Sequence, residues 1–332
     1  MSQFGNLVQI CSQNRKGLLY AAGVGLGIIG VGILMKSLLK RRQRKLIQVG
    51  VVSQMCIYPI KSCKGVSVNT AECLEMGLKH GELRDRHWLV IQEDGHKVTG
   101  RQEPRLVLIT ASSDDVYLYL NAAEMEELRV PLKLSRSNSV KDCRVWGSDI
   151  QGRDCGDEAS RWITRYLNNE KTFRLVQYEF DMQPRRPHDT EKRFKPKDKI
   201  AYPDYSPIML LSEASLEDLN TRMEKKVEMR NFRPSIVVTG CDAFAEDSWD
   251  EIQIGSTCLR RVMACGRCIF TTVDPETGVI DRKQPLETLK SYRKCDPSEQ
   301  HLYKSSPLFG QCYGVDQTGI LHVGDPVYKI TY

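Results

Sequence analysis

The chain has 332 residues, 41% hydrophobic and 27% charged, which is ample for a buried core and excludes an intrinsically disordered protein. Its net charge of +6 does not point to nucleic acid, because residues 1–49 hold eight Lys and Arg and no acid, while the remainder has 40 basic against 42 acidic side chains. Twelve cysteines are scattered over this length, unlike a small secreted disulfide scaffold, and read as reduced thiols in a reducing compartment.

Residues 18–35 carry no charge and as a helix reach ~27 Å, enough to span a thin bilayer. Lys36 and the run Lys40-Arg41-Arg42-Gln43-Arg44-Lys45 follow at once, whereas a cleaved signal peptide places its charge before the apolar run and a small-residue site after it. Six basic residues after the span against two before it keep the body in the cytosol by the positive-inside rule. A short, Gly-rich span with a basic flank fits a signal anchor in the mitochondrial outer membrane, with the endoplasmic reticulum or peroxisomal membrane as the alternative. Residues 1–49 are therefore read as anchor and flank.

Strands are expected over Val51–Ile60, His87–Gln92, Leu106–Thr110 and Val116–Leu120, with Glu93-Asp94-Gly95-His96 and Ser113-Asp114-Asp115 as turns. Where the first strand ends, Tyr58-Pro59-Ile60-Lys61-Ser62-Cys63-Lys64-Gly65 forms a turn with two lysines, a hydroxyl and a glycine. Such a turn can hold an anion, and it is equally the composition of an ordinary solvated turn. Leu83-Arg84-Asp85-Arg86-His87-Trp88 sets an arginine directly before an apolar strand, suited to bidentate contact with phosphate or with a structural carboxylate. Residues 157–168 read as a helix with Trp162, Ile163, Tyr166 and Leu167 on one stripe. Residues 181–199, with Pro184, Pro187 and Pro196 among seven Lys and Arg, read as a long exposed loop or domain boundary. Ser215-Leu216-Glu217-Asp218 resembles a capping box opening a second helix, with Leu216, Leu219 and Met223 facing inward. Asn231-Phe232-Arg233-Pro234 poses for Arg233 the same choice as for Arg86. The final third alternates apolar and polar, as in Ile252-Gln253-Ile254, and reads as a β-barrel with few helices.

Cys265-Gly266-Arg267-Cys268 is the one CxxC in the chain. A structural zinc site needs four ligands, but no second pair exists and the six histidines are dispersed, which argues against zinc. A thioredoxin-like dithiol would open a helix within a βαβ unit, and this motif follows a strand instead. Two readings stand on spacing alone: a pair of buried structural thiols, or a thiolate at Cys268 favoured by the neighbouring Arg267.

Taken together, Tyr58-Pro59-Ile60-Lys61-Ser62, Leu83-Arg84-Asp85-Arg86, Asn231-Phe232-Arg233-Pro234 and Arg267-Cys268 followed by Thr271-Thr272-Val273-Asp274-Pro275-Glu276-Thr277-Gly278 resemble the MOSC superfamily of molybdenum-cofactor proteins. The resemblance covers residues 18–332, and with the anchor it is similar to the branch that reduces N-hydroxylated compounds. It implies an α+β, β-rich MOSC fold: an N-terminal MOSC domain over 50–180, a C-terminal MOSC β-barrel over 181–332, and one N-terminal transmembrane helix. It implies a molybdenum–molybdopterin cofactor (Moco) whose metal takes Cys268, not Cys265, as ligand and catalytic residue. By motif position the cofactor contacts fall on Lys61, Ser62, Arg86, Tyr205, Ser206, Arg233, Gly266 and Cys312. At Gly266 and Cys312 this chain departs from the family pattern of serine and tyrosine. Thiolate suits a redox-active metal, and Lys61, Arg86 and Arg233 suit the anionic pterin phosphate.

The implied activity is a two-electron reduction of amidoximes, hydroxylamines and N-hydroxyguanidines, a detoxifying chemistry. Electrons would come from NADH through cytochrome b5 reductase and cytochrome b5. The body lacks a Gly-rich dinucleotide fingerprint, which fits an external electron source. The basic stretch from Arg185 to Lys199 reads either as a docking face for an acidic electron carrier or as a solvated loop. Two other functions compete: a MOSC sulfur carrier or cofactor-handling protein using Cys268 as a persulfide, and a membrane-bound adaptor with inert thiols.

Overall fold

The computed structural model describes residues 44–168 and 170–332. The apolar span at 18–35 lies outside them, and among the described residues no helix is long and apolar enough to cross a membrane. Residues Leu46–Ile330 form one compact unit.

Seven strands close a barrel: β1 (Lys45–Ile57), β2 (Ile208–Ser212), β3 (Ile236–Thr239), β4 (Glu251–Ile254), β5 (Thr257–Gly266), β6 (Leu308–Gln317) and β7 (Pro326–Thr331). Their order is β3-β2-β6-β5-β4-β7-β1, and β1 returns to β3 in antiparallel register with Met55 opposite Ile236. Closure leaves no open edge for another chain to pair with. The pattern that makes it a barrel is the alternation of inward apolar residues: Val52, Met55 and Ile57 on β1, and Ile252 and Ile254 on β4, are 1% exposed or less. They meet Leu210, Ile236, Val238, Leu259, Tyr313 and Val327 in one core. The barrel expected from the final third is therefore present, but its first strand comes from the start of the body.

β2 and β3 run parallel, which requires a crossover, and α2 supplies it after α1 has packed elsewhere: α1 is Asp157–Leu167 and α2 is Glu213–Thr221. α1 occurs where the apolar stripe predicted it, with Trp162, Ile163, Tyr166 and Leu167 all buried. Burying each such side chain contributes roughly 1.5–3 kcal/mol. α2 begins earlier than the capping-box reading placed it. Ser212 is the N-cap and its hydroxyl accepts the Ser215 N–H at 3.1 Å, so Ser215 stands within the first turn. Leu219 is fully buried beneath this helix, and Leu216 and Met223 pack partly against the same cluster.

Three smaller antiparallel sheets complete the unit. One contains Val140–Val145, Ser148–Asp154, Phe173–Gln177 and Trp88–Gln92, close to the strand expected at His87–Gln92. The strand expected at Leu106–Thr110 is instead a 3₁₀ turn, Pro104–Leu108. Pro104 fixes φ at its first turn, and Leu106 and Ile109 are buried three positions apart, a helical spacing that the short apolar run disguises. Residues 181–199 are largely irregular, as expected, but not simply exposed: Arg185, Phe194 and Asp198 are buried, and Arg185 bridges to Ile200.

Candidate active site

The turn after β1 is shaped by the backbone of the strand Trp88–Gln92. Lys61 N–H donates to the Trp88 carbonyl at 2.9 Å and Cys63 N–H to that of Ile60 at 3.1 Å. This forces Ser62 to φ 72°, a left-handed conformation that costs a non-glycine residue free energy and marks sites held by their surroundings. Arg86 (φ 50°) and Arg233 (φ 56°) are held in the same way. Asp85, with no exposed surface, organises this corner: its carboxylate accepts the Tyr58 N–H at 2.9 Å and the Arg86 guanidinium. The guanidinium carbons of Arg86 and Arg233 lie 4.9 and 4.1 Å from the Tyr58 ring centroid. Two like charges are thus gathered on one buried ring. Nη2 of Arg233 is buried with no hydrogen-bond partner.

Lys61 is buried, and its ammonium donates to Asp204 at 2.5 Å and to the Tyr202 carbonyl at 2.7 Å. Burial pulls this amine down to about 8 despite the carboxylate beside it. The ammonium in turn holds the Asp204 carboxyl well below the usual carboxylate range, overcoming the desolvation that opposes it. Asp204 also accepts the Trp146 indole N–H at 2.7 Å.

β5 delivers the CxxC to the same place. Arg267, expected to favour a thiolate at Cys268, is committed elsewhere: Nε donates to the Phe309 carbonyl at 2.7 Å and Nη1 to that of Phe232 at 2.9 Å. It fastens the loop to β6 and to the Asn231-Phe232-Arg233 turn. Burial raises the Cys268 thiol, outweighing the Phe270 backbone, Arg101 and Arg267, which lower it. The more acidic sulfur is Cys265, lowered first by a hydrogen bond from the Cys312 thiol and then by Arg267. Acidity within the protein therefore does not select Cys268. Cys268 is the N-cap of the 3₁₀ turn Ile269–Thr272, and it lines the cavity together with Cys265.

One cavity gathers all nine residues named from the sequence: Lys61, Ser62, Arg86, Tyr205, Ser206, Arg233, Gly266, Cys268 and Cys312. Its wall also includes Arg267 and three residues that sequence reading did not single out for the site, Thr99, Arg101 and Asp204. Gly100 allows the approach of Thr99 and Arg101, since a Cβ there would meet the Phe270 ring at 2.1 Å. Five cationic side chains against one carboxylate line this wall, and Arg233 has an unpartnered buried donor. That donor set fits an anionic ligand carrying phosphate. Among the described residues no three His, Cys, Asp or Glu side chains cluster as a metal cage.

Two family models match the chain: the MOSC N-terminal beta barrel domain over residues 49–170 and the MOSC domain over 197–328. Mitochondrial amidoxime-reducing component 1 of Danio rerio is 57% identical over 97% of this chain and 97% of its own length. The chain belongs to the amidoxime-reducing component family of MOSC proteins. Within that family, mitochondrial amidoxime-reducing component 1 of Homo sapiens is 56% identical over 97% of this chain and 96% of its own. Mitochondrial amidoxime reducing component 2 of Bos taurus is 61% identical over 87% and 86%. The family's β-rich fold is the one seen here, a seven-stranded barrel with few helices.

Proposed function

We propose that the protein is a molybdenum-cofactor reductase of N-hydroxylated compounds, working at a mitochondrial membrane. The observation that carries the reading is the cavity itself: the cysteine sulfurs of Cys265, Cys268 and Cys312 beside an under-neutralised cluster of arginines and a lysine, in a chain 57% identical to an amidoxime-reducing component. Cys268 would hold the metal as thiolate. Lys61, Arg86 and Arg233 would hold the phosphate and the pterin, with Ser62, Tyr205, Ser206, Gly266 and Cys312 completing the contacts. The bound cofactor supplies two electrons for converting N–OH to N–H with release of water.

The side chains account for what the cofactor cannot do alone. Arg86 and Arg233 are pre-placed on Tyr58, so little reorganisation is needed when an anion arrives. The reaction consumes two protons. Lys61, lowered to about 8, is the cationic group of the cavity able to release a proton near neutral pH. Arg267, tied to Phe232, Phe309 and β2, keeps the sulfur of Cys268 from moving.

Electrons would arrive from NADH through cytochrome b5 reductase and cytochrome b5, with residues 18–35 anchoring the protein in the outer membrane and the body in the cytosol. The docking face expected over Arg185–Lys199 is smaller than its sequence suggests. Arg185 is buried against the Pro203 and Asp204 carbonyls, Arg193 pairs with Glu191 and Glu299, and Lys195 with Asp316. Arg186, Lys192, Lys197 and Lys199 remain exposed.

The test is metal analysis of the purified full-length chain beside Cys268→Ala and Cys265→Ala, with amidoxime turnover. Stoichiometric molybdenum, lost in Cys268→Ala and kept in Cys265→Ala, is the expected result. A molybdenum-free protein carrying a persulfide on Cys268 would replace the reductase with the sulfur carrier.

A further inference from the structure

The strands Val140–Val145 and Ser148–Asp154 pair in register from Val140↔Arg153 to Val145↔Ser148, which leaves Trp146-Gly147 as a two-residue hairpin turn. Both turn residues have positive φ, 52° and 78°. Turns of this kind favour Asn-Gly or Asp-Gly because a bulky side chain is strained at the first position. A tryptophan there contradicts the local rule, and 42% of it is exposed besides. Such a combination persists where the surroundings enforce it, and it is a signature of a functional position.

Three of its four enforcing contacts lead to the cavity. The indole N–H donates to Asp204, the carboxylate that also holds Lys61. The ring stacks on Tyr205 with 24° between planes and 6.3 Å between centroids. Arg101 lies 4.6 Å and Lys97 4.9 Å from the ring centroid. Arg101, Asp204 and Tyr205 line the cavity, and the charge of Arg101 acts on the Cys268 thiol. Tyr205 is itself 39% exposed. Trp146 and Tyr205 therefore make a partly open aromatic rim, held at the mouth by Asp204 and flanked by cations.

We propose that Trp146 is a specificity-determining residue: together with Tyr205 it receives the planar apolar part of the substrate while the N–OH group enters toward Cys268. The inference rests on the reductase reading above and adds a preference to it, for aryl over small alkyl N-hydroxylated compounds. Lys97 and Arg101 sharpen it further, since cations beside the rim accept a neutral amidoxime and repel a protonated amidine product.

The test uses the loaded, full-length enzyme as wild type, Trp146→Phe and Trp146→Asn, the last giving the turn its favoured residue. Benzamidoxime and acetamidoxime are turned over with a dye reductant, and benzamidoxime binding is measured separately by calorimetry without reductant. In Trp146→Asn we expect KM and Kd for benzamidoxime to rise about tenfold, the loss of roughly 1.4 kcal/mol typical of one aromatic stacking contact. kcat should change little, acetamidoxime constants should move less than twofold, and Trp146→Phe should restore most of the binding. Equal effects on both substrates, or unchanged benzamidoxime binding, would overturn the proposal. A wild type that binds benzamidoxime with this dependence and does not reduce it would overturn the reductase reading instead.

Discussion

His87, one position after Arg86, is 4% exposed, and its Nδ1 lies 2.9 Å from the Asp85 carbonyl oxygen. A carbonyl only accepts, so Nδ1 carries the proton and Nε2 is a buried lone pair without a partner. Burial lowers this imidazole to about 4. Between pH 4 and the ordinary value of 6.5 the unfolded chain binds a proton that the native protein refuses. Stability therefore rises with pH across that window and is lost on acidification, by about 3 kcal/mol in total. His87→Asn, whose amide keeps a donor for Asp85, is expected to flatten this limb in urea unfolding measured at successive pH values. An identical pH profile in the variant would refute the assignment. At Asp204 the expected effect is of another kind. Asp204→Asn leaves Lys61 buried without its counter-charge and should cost about 1–2 kcal/mol, moderated because the carboxylate is half-exposed. Adding Lys61→Met should recover much of that stability while still weakening retention of an anionic ligand.

β6 carries the clearest constraint on a whole element. Gly310 has φ 81°, and a Cβ there would stand 2.9 Å from the Leu210 carbonyl oxygen and 3.2 Å from Nη2 of Arg267. Gly310→Ala should push β6 from β2, dislodge Arg267 and destabilise by about 2–3 kcal/mol, with lower molybdenum content. Gly324→Ala, also at positive φ but with open space around it, should cost about 1 kcal/mol and leave the metal in place. Thermal unfolding and metal analysis of the two variants decide between these outcomes. Elements with strong periodicity were legible in the sequence: α1 has its whole buried stripe where the spacing put it, and β4 alternates as read. The 3₁₀ turn at Pro104–Leu108 was not, because five residues hold too little periodicity to separate a turn from a strand. The N-cap of α2 was misplaced because Ser212 and Ser215 are both plausible caps. Only the structure shows Glu246 accepting from the Ser215 hydroxyl and the Ser212 N–H. The site followed the same division. Arg86 and Arg233 lie in recognisable motifs, whereas Asp204 meets Lys61 across 143 residues and Trp146 across 58, pairings that no local pattern encodes.

For the molecule as a whole, surface charge and chain order both matter. Exchanging exposed Arg186, Lys192, Lys197 and Lys199 for Ala should raise the apparent KM for an acidic electron carrier and flatten its dependence on ionic strength. Turnover driven by a small dye should be unaffected. Unchanged salt dependence would place the carrier on another face. Chain order has its own outcome. β1 is flanked by β3 on one side, and on the other Val52 exchanges hydrogen bonds with Gly324 and Asp325, at 2.8 and 2.9 Å, just before β7. A ribosome releases β1 first and β7 last. Until β7 emerges the earliest strand waits with an unsatisfied edge, and until β6 emerges the cavity wall, which draws on Lys61 and Cys312 alike, cannot be complete. Cofactor insertion thus awaits β6, and a nascent chain stalled before β6 should be a client of chaperones rather than of the cofactor.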